Sequence, residues 1–142
     1  VRALKGLLGE TELIAVVKAN AYGAGAAVLA PVLEKVGVDR FAVVWPHEGY
    51  MLRQAGVSAP IIVLGHAFPS DATQAVRAGL TLTCHSRELG DAISFAASQS
   101  GVTARLAAKY PAIRHSSLNA TTHAGVPQFI NTFMLVTSPK RS

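Results

Sequence analysis

Lys18 is the side chain best placed for chemistry. It stands in Ala15-Val16-Val17-Lys18-Ala19-Asn20-Ala21-Tyr22-Gly23, where an apolar run ends in one amine followed by a small-residue turn. A half-buried strand alternates polar and apolar residues, whereas a strand buried on both faces stays apolar. Leu13 to Val17 has the second pattern, so Lys18 lies where the chain leaves a buried strand. Desolvation pushes a lysine pKa down and frees the amine to attack a carbonyl. The competing reading is a lysine that snorkels from a strand end into water.

Other reactive residue types have blander readings. Asn20 suits a local backbone bond at the turn. Glu48, near a helix N-terminus, suits dipole stabilisation, and His47 stands beside it. His66 and His85 follow the third and fourth strand signals, and each alone reads as structural. Cys84 reads as a core thiol, and Arg53 and Arg87 as solvated helix residues. A single cysteine cannot make an internal disulfide, and no spaced Cys/His set suggests zinc.

The elements that must position Lys18 alternate between strand and helix. Strands are expected at Leu13–Lys18, Arg40–Val44, Pro60–Leu64 and Leu80–Cys84, with Ala104–Tyr110 as a possible fifth. Helices are expected at Ala24–Val36, Pro46–Gln54, Ser70–Arg77 and Ser86–Ser98. In the first helix Val28, Leu29, Val32, Leu33 and Val36 share a face, and Pro31 suggests a kink or a late start. Ser70 and Ser86 are the expected caps, with Asp71 in the first turn of the third helix. The repeat predicts an α/β chain of parallel βα units, either an open doubly wound sheet or part of a (β/α)8 barrel. The dinucleotide fingerprint fails, because Gly23-Ala24-Gly25 runs on into Ala26-Ala27-Val28.

Composition narrows the function classes. The 142 residues are 50% apolar and 15% charged, enough for one domain with a core and unlike a disordered chain. No apolar run reaches the ~18 residues of a membrane span, and the start does not resemble a signal peptide, so a cytoplasmic location and no membrane partner are expected. The net charge is +5, but residues 1–103 balance eight bases with eight acids, while residues 104–142 hold five bases and no acid. A neutral body with a basic tail speaks against a nucleic-acid partner.

The run Val16-Val17-Lys18-Ala19-Asn20-Ala21-Tyr22-Gly23-Ala24-Gly25 resembles the pyridoxal phosphate attachment motif of alanine racemases. The likeness continues through Asp39-Arg40-Phe41-Ala42-Val43, Glu48-Gly49, Leu52-Arg53-Gln54-Ala55-Gly56 and Ala59-Pro60-Ile61-Ile62-Val63-Leu64-Gly65, over roughly residues 1–103. Ala24 departs from it, the family usually carrying histidine there.

The resemblance implies several things. The fold would be a partial (β/α)8 TIM-type barrel of about four to five βα units, since a whole barrel needs about 250 residues. Residues 1–103 would be the N-terminal part of a pyridoxal 5′-phosphate-binding barrel. Residues 104–142 would be a divergent, irregular basic tail, because the family's Lys-Val-Asp-Thr-Gly-Met strand is absent after Val102; a truncated, frameshifted or fused copy is expected. Lys18 would carry the cofactor and act as one of two catalytic bases, and Tyr22 would bond the cofactor phosphate. The opposing base would come from a C-terminal domain of the partner subunit in a homodimer, so neither Tyr50 nor Tyr110 is assigned to it. The implied activity is interconversion of L- and D-alanine for peptidoglycan. The alternatives are a catalytically inactive fragment that at most binds the cofactor through Lys18, and a small cofactor carrier of the homeostasis type.

Overall fold

A computed structural model describes residues 1–108 and, beyond them, the strand backbone at 120–123 and 135–139. The elements are α1 (Arg2–Leu8), β1 (Thr11–Val16), α2 (Lys18–Tyr22), α3 (Ala26–Lys35), β2 (Arg40–Val43), α4 (Pro46–Gln54), β3 (Ile61–Val63), a 3₁₀ turn (Pro69–Asp71), α5 (Ala72–Arg77), β4 (Leu80–Cys84), α6 (Arg87–Ser100), β5 (Ala104–Ala108), β6 (Ala120–His123) and β7 (Leu135–Pro139).

Strand order settles the architecture that periodicity leaves open. The sheet runs β6-β5-β4-β3-β2-β1-β7, with β1 to β6 successive parallel neighbours. A doubly wound sheet reverses its order at a switch point. No reversal occurs here, so right-handed crossovers keep the helices between these strands on one side, which is barrel winding. The chain is a partial barrel of α/β type. The end strands are also paired: β7 runs antiparallel along β1, from Thr11 opposite Pro139 to Ala15 opposite Leu135, and β6 runs parallel along β5. An unpaired strand edge is a template for aggregation, and these two strands cover both edges of the β1–β5 unit.

The core lies between the sheet and its helices, with Leu13, Phe41, Val43, Ile61, Val63, Leu82 and Leu106 fully buried from the strands. α6 meets them through Leu89, Ile93, Ala96 and Ala97, one helical stripe. Ser86 caps this helix as expected, its Oγ accepting from the Leu89 amide at 3.2 Å.

Four expectations are corrected. α3 starts at Ala26 and continues through Pro31. It buries Ala26 and Ala30 and leaves Val28 76% and Val32 54% exposed, because small alanine side chains let the helix backbone approach its neighbours. Ser70 is not a cap: it lies within the 3₁₀ turn, where the Asp71 carboxylate accepts from the Phe68 amide at 2.8 Å. The tail is not wholly irregular, since β6 and β7 pair within the sheet. Tyr110, the loop from His115 to Asn119 and most of the apolar run Phe129–Val136 lie outside the described residues.

Arg53 is the fourth correction. It is part-buried, and its guanidinium donates to the carbonyls of Val57, Ala59, Ala78 and Gly79 at 2.8–3.4 Å. It thereby ties the α4–β3 turn to the α5–β4 turn. Burial pulls its pKa down, while the charge of Glu34 opposes that pull. Arg53→Met removes these charged hydrogen bonds and leaves the carbonyls unsatisfied. We expect it to cost roughly 2–3 kcal/mol, measured as a lower urea midpoint at unchanged slope.

Candidate active site

β1 delivers Lys18 to the carboxyl end of the sheet. Leu13, Ile14 and Ala15 are buried, and the Val17 amide still reaches the Ala42 carbonyl of β2 at 2.9 Å. The chain then turns left-handed. Ala19 (φ 51°, ψ 49°), Asn20 (55°, 44°) and Ala21 (55°, 45°) are followed by Tyr22 (φ 56°) and Gly23 (φ 89°). Each non-glycine residue in this region costs roughly 1–2 kcal/mol, so four in succession persist only where the surroundings hold them.

Three anchors hold the turn. The Glu48 carboxylate accepts from the amides of Ala19 at 2.6 Å, Val44 at 2.8 Å and Trp45 at 2.9 Å. It joins the turn, the end of β2 and the start of α4 through one side chain. Asn20 Oδ1 accepts from the Ala26 amide at 2.8 Å, and its carbonyl accepts from Gly23 and Gly25, so this side chain serves the local backbone as expected. The Ala21 methyl is buried in the core. Helix-dipole stabilisation therefore understates Glu48. The missed role depends on an amide 29 residues away in sequence, which no local pattern marks.

The turn brings Lys18 and Tyr22 together. Lys18 Nζ lies 5.9 Å from the centroid of the Tyr22 ring, within reach of a cation–π contact. Lys18 is half-buried and Tyr22 is 47% exposed. The desolvation expected at Lys18 is thus only partial here. The pair presents one amine and one phenol to an approaching ligand. A cavity of about 280 Å³ lies beside the turn, lined by Val17, Ala19, Asn20, Ala26, Val43, His47, Glu48, Met51 and Leu52. Neither Lys18 nor Tyr22 lines it.

Two histidines that read as separate structural residues are neighbours. His66 follows β3 and His85 follows β4, with their Nε2 atoms 3.1 Å apart. Cys84 is fully buried, its thiol donating to the Ser86 carbonyl at 3.3 Å; burial pushes its pKa up, and it remains a core residue. Arg87 is exposed and meets Asp91 at 3.8 Å. The Tyr50 hydroxyl is buried and has no hydrogen-bond partner among the described residues. Burial, and then the negative charge of Asp71, raises its pKa, so it is unsuited to act as a base.

Comparison with known proteins identifies the relatives of the chain. The family model for the alanine racemase N-terminal domain matches residues 1–110. The alanine racemase of Carboxydothermus hydrogenoformans is 43% identical over 88 residues, covering 62% of this chain and 24% of that protein. The serine/alanine racemase of Enterococcus gallinarum is 49% identical over 72 residues, covering 51% of this chain and 10% of that protein. Among solved structures, alanine racemase from Clostridium difficile 630 superposes with a TM-score of 0.70 at 35% identity, over 73% of this chain and 28% of that one. The chain therefore spans between 10% and 28% of the length of these relatives.

Glu48→Ala strips the carboxylate from three amides and should cost roughly 2–3 kcal/mol. Ala19→Gly in that background should recover part of the loss by relieving a positive φ; denaturant melts of both variants measure it. A second outcome concerns alkaline pH. The folded chain holds the Tyr50 proton more tightly than the unfolded chain, whose reference pKa is 10.0. Stability should therefore fall as pH rises above 10 toward the folded value. Tyr50→Phe should flatten that decline, and an unchanged slope in melts across this range would exclude Tyr50 as its source.

Proposed function

Since the chain belongs to the alanine racemase N-terminal domain family, we propose that it carries the cofactor-bearing portion of a site that interconverts L- and D-alanine. Lys18 would hold pyridoxal 5′-phosphate covalently, and Tyr22 would bind its phosphate. The observation that carries this reading is the Lys18–Tyr22 pair on a strained left-handed turn at the carboxyl end of β1. That end of a barrel is where active sites are built.

The donor set fits the group. It offers one primary amine for covalent attachment and one phenol hydroxyl to donate to a phosphate oxygen, both reachable from solvent. Asn20 is committed to the backbone and does not compete. When bound, the cofactor supplies an electron sink that makes the substrate Cα proton acidic.

The chain's own residues do the rest. Glu48, Asn20 and the buried Ala21 fix the turn, so Lys18 Nζ returns to one position after each transfer. From there it removes or returns the proton on one face of Cα, and positioning of this kind is a large part of the rate gain. Racemisation also needs a base on the opposite face. Among the described residues Tyr50 does not qualify, so the reading takes the second base from outside them, on the partner subunit of a homodimer as the resemblance implies. A role in supplying D-alanine to peptidoglycan, a cytoplasmic location and alanine as the small amino-acid substrate complete the proposal. The relatives, an alanine racemase and a serine/alanine racemase, support that substrate class.

Attachment can be tested without turnover. Borohydride reduction of the chain incubated with pyridoxal phosphate, followed by peptide mass mapping, should place the pyridoxyl group on Lys18. Lys18→Ala should abolish the label and Tyr22→Phe should weaken cofactor retention. Labelling spread over Lys5, Lys35 and Lys109, or retained in Lys18→Ala, would refute the assignment.

A further inference from the structure

β1 has two neighbours that run in opposite directions. β2 lies parallel on one side, and β7 lies antiparallel on the other, from Thr11 opposite Pro139 to Ala15 opposite Leu135. In a closed (β/α)8 barrel all eight strands are parallel, so the strand that closes onto β1 is parallel too. β7 therefore fills, in reverse, the edge that barrel closure requires. Parallel and antiparallel ladders have different hydrogen-bond patterns, and no slide in register converts one into the other. β7 must detach before a parallel strand can take its place.

The backbone shows which groups hold it. The Val17 amide donates to the Ala42 carbonyl at 2.9 Å, and the Leu13 carbonyl accepts from the Asp39 amide at 3.0 Å. Odd-numbered residues of β1 thus turn their backbone groups toward β2. Alternation along the strand turns those of Glu12 and Ile14 toward β7, where the register sets them opposite Ser138 and Val136. The same alternation points the backbone groups of Leu135, Thr137 and Pro139 away from β1.

That outward side is a poor template for a further strand. β7 is an end strand of the sheet among the described residues. Pro139 has no N–H, and proline in sheets is confined to such edges, with its nitrogen on the unpaired side. β1 has six residues, β7 five and, at the other end of the sheet, β6 four. Short strands, proline and basic residues are devices that blunt an edge, and Lys140 and Arg141 follow β7 directly.

We propose that β7 is a built-in strap on β1, blocking that edge against a parallel closing strand and against a second copy of this chain. The second copy is the competitor because a twofold axis pairs β1 with its own equivalent antiparallel, the direction that β7 already has. Strap and copy compete for the same backbone groups of Glu12 and Ile14. The strap prevails because its tether gives it a high effective concentration. This blocking does not rest on the cofactor chemistry assigned to Lys18.

Two proline variants of the full chain separate the strap from general destabilisation. Val136→Pro removes an amide that faces β1, whereas Thr137→Pro removes one that faces outward. Hydrogen exchange followed by NMR should find the Glu12 and Ile14 amides protected in the parent and in Thr137→Pro. In Val136→Pro they should exchange at least about tenfold faster, while the Ala15 and Val17 amides, which face β2, stay protected. Sedimentation should give Val136→Pro a mass that rises with concentration above the parent's, and Thr137→Pro the parent mass. Equal effects of the two prolines, free exchange at Glu12 and Ile14 in the parent, or a released edge with the parent mass would overturn the proposal. So would loss of protection at Ala15 and Val17 in Val136→Pro, which would make β7 an ordinary part of the core.

Discussion

One carboxylate bears on everything built at the rim. Glu48 accepts three backbone amides that belong to the left-handed turn, the end of β2 and the start of α4. Four successive non-glycine residues at positive φ are a standing cost, and strain of this size survives only where the fold over-determines it. Glu48 supplies that determination from a distance, Asn20 supplies it locally, and the buried Ala21 supplies it through packing. The outcome is that the Lys18 amine lies 5.9 Å from the ring of Tyr22, four residues on, with both side chains reachable from solvent.

Beneath this turn lies a sheet whose order never reverses. Parallel strands that are neighbours in sequence and in space place every carboxyl terminus on one rim. Lys18, His66 and His85 gather there from β1, β3 and β4, although 67 positions separate the first from the last. Arg53 plays the matching role at the opposite end, where its guanidinium joins two turns by their carbonyls. The ion pairs of Lys5 with Asp39 and Arg40 with Glu12 hold the first turns of the same framework.

Much of this was legible beforehand. The apolar runs gave β1 to β4 to within two residues, α4 and β4 match their expected bounds, and Ser86 caps α6. Each of these rests on a local rule of period or cap. The errors have a common cause. Arg53 reads as a solvated helix residue and Glu48 as helix-dipole stabilisation because their partners are distant carbonyls and amides, and α3 turned its alanines inward because backbone approach outweighed side-chain area. The pairing of residues 120–123 and 135–139 depends on edges exposed elsewhere in the sheet, which a tail read in isolation does not reveal.

The sequence by itself determined the family, through the Lys-Ala-Asn-Ala-Tyr-Gly run, and the alternation of strand and helix, because period and motif are properties of neighbouring residues. Tertiary structure alone decided barrel winding over a doubly wound sheet, the left-handed path of Ala19 to Tyr22, and the meeting of His66 with His85. Strand order, strain tolerance and convergence all depend on groups far apart in the chain, and only packing brings those groups within bonding distance.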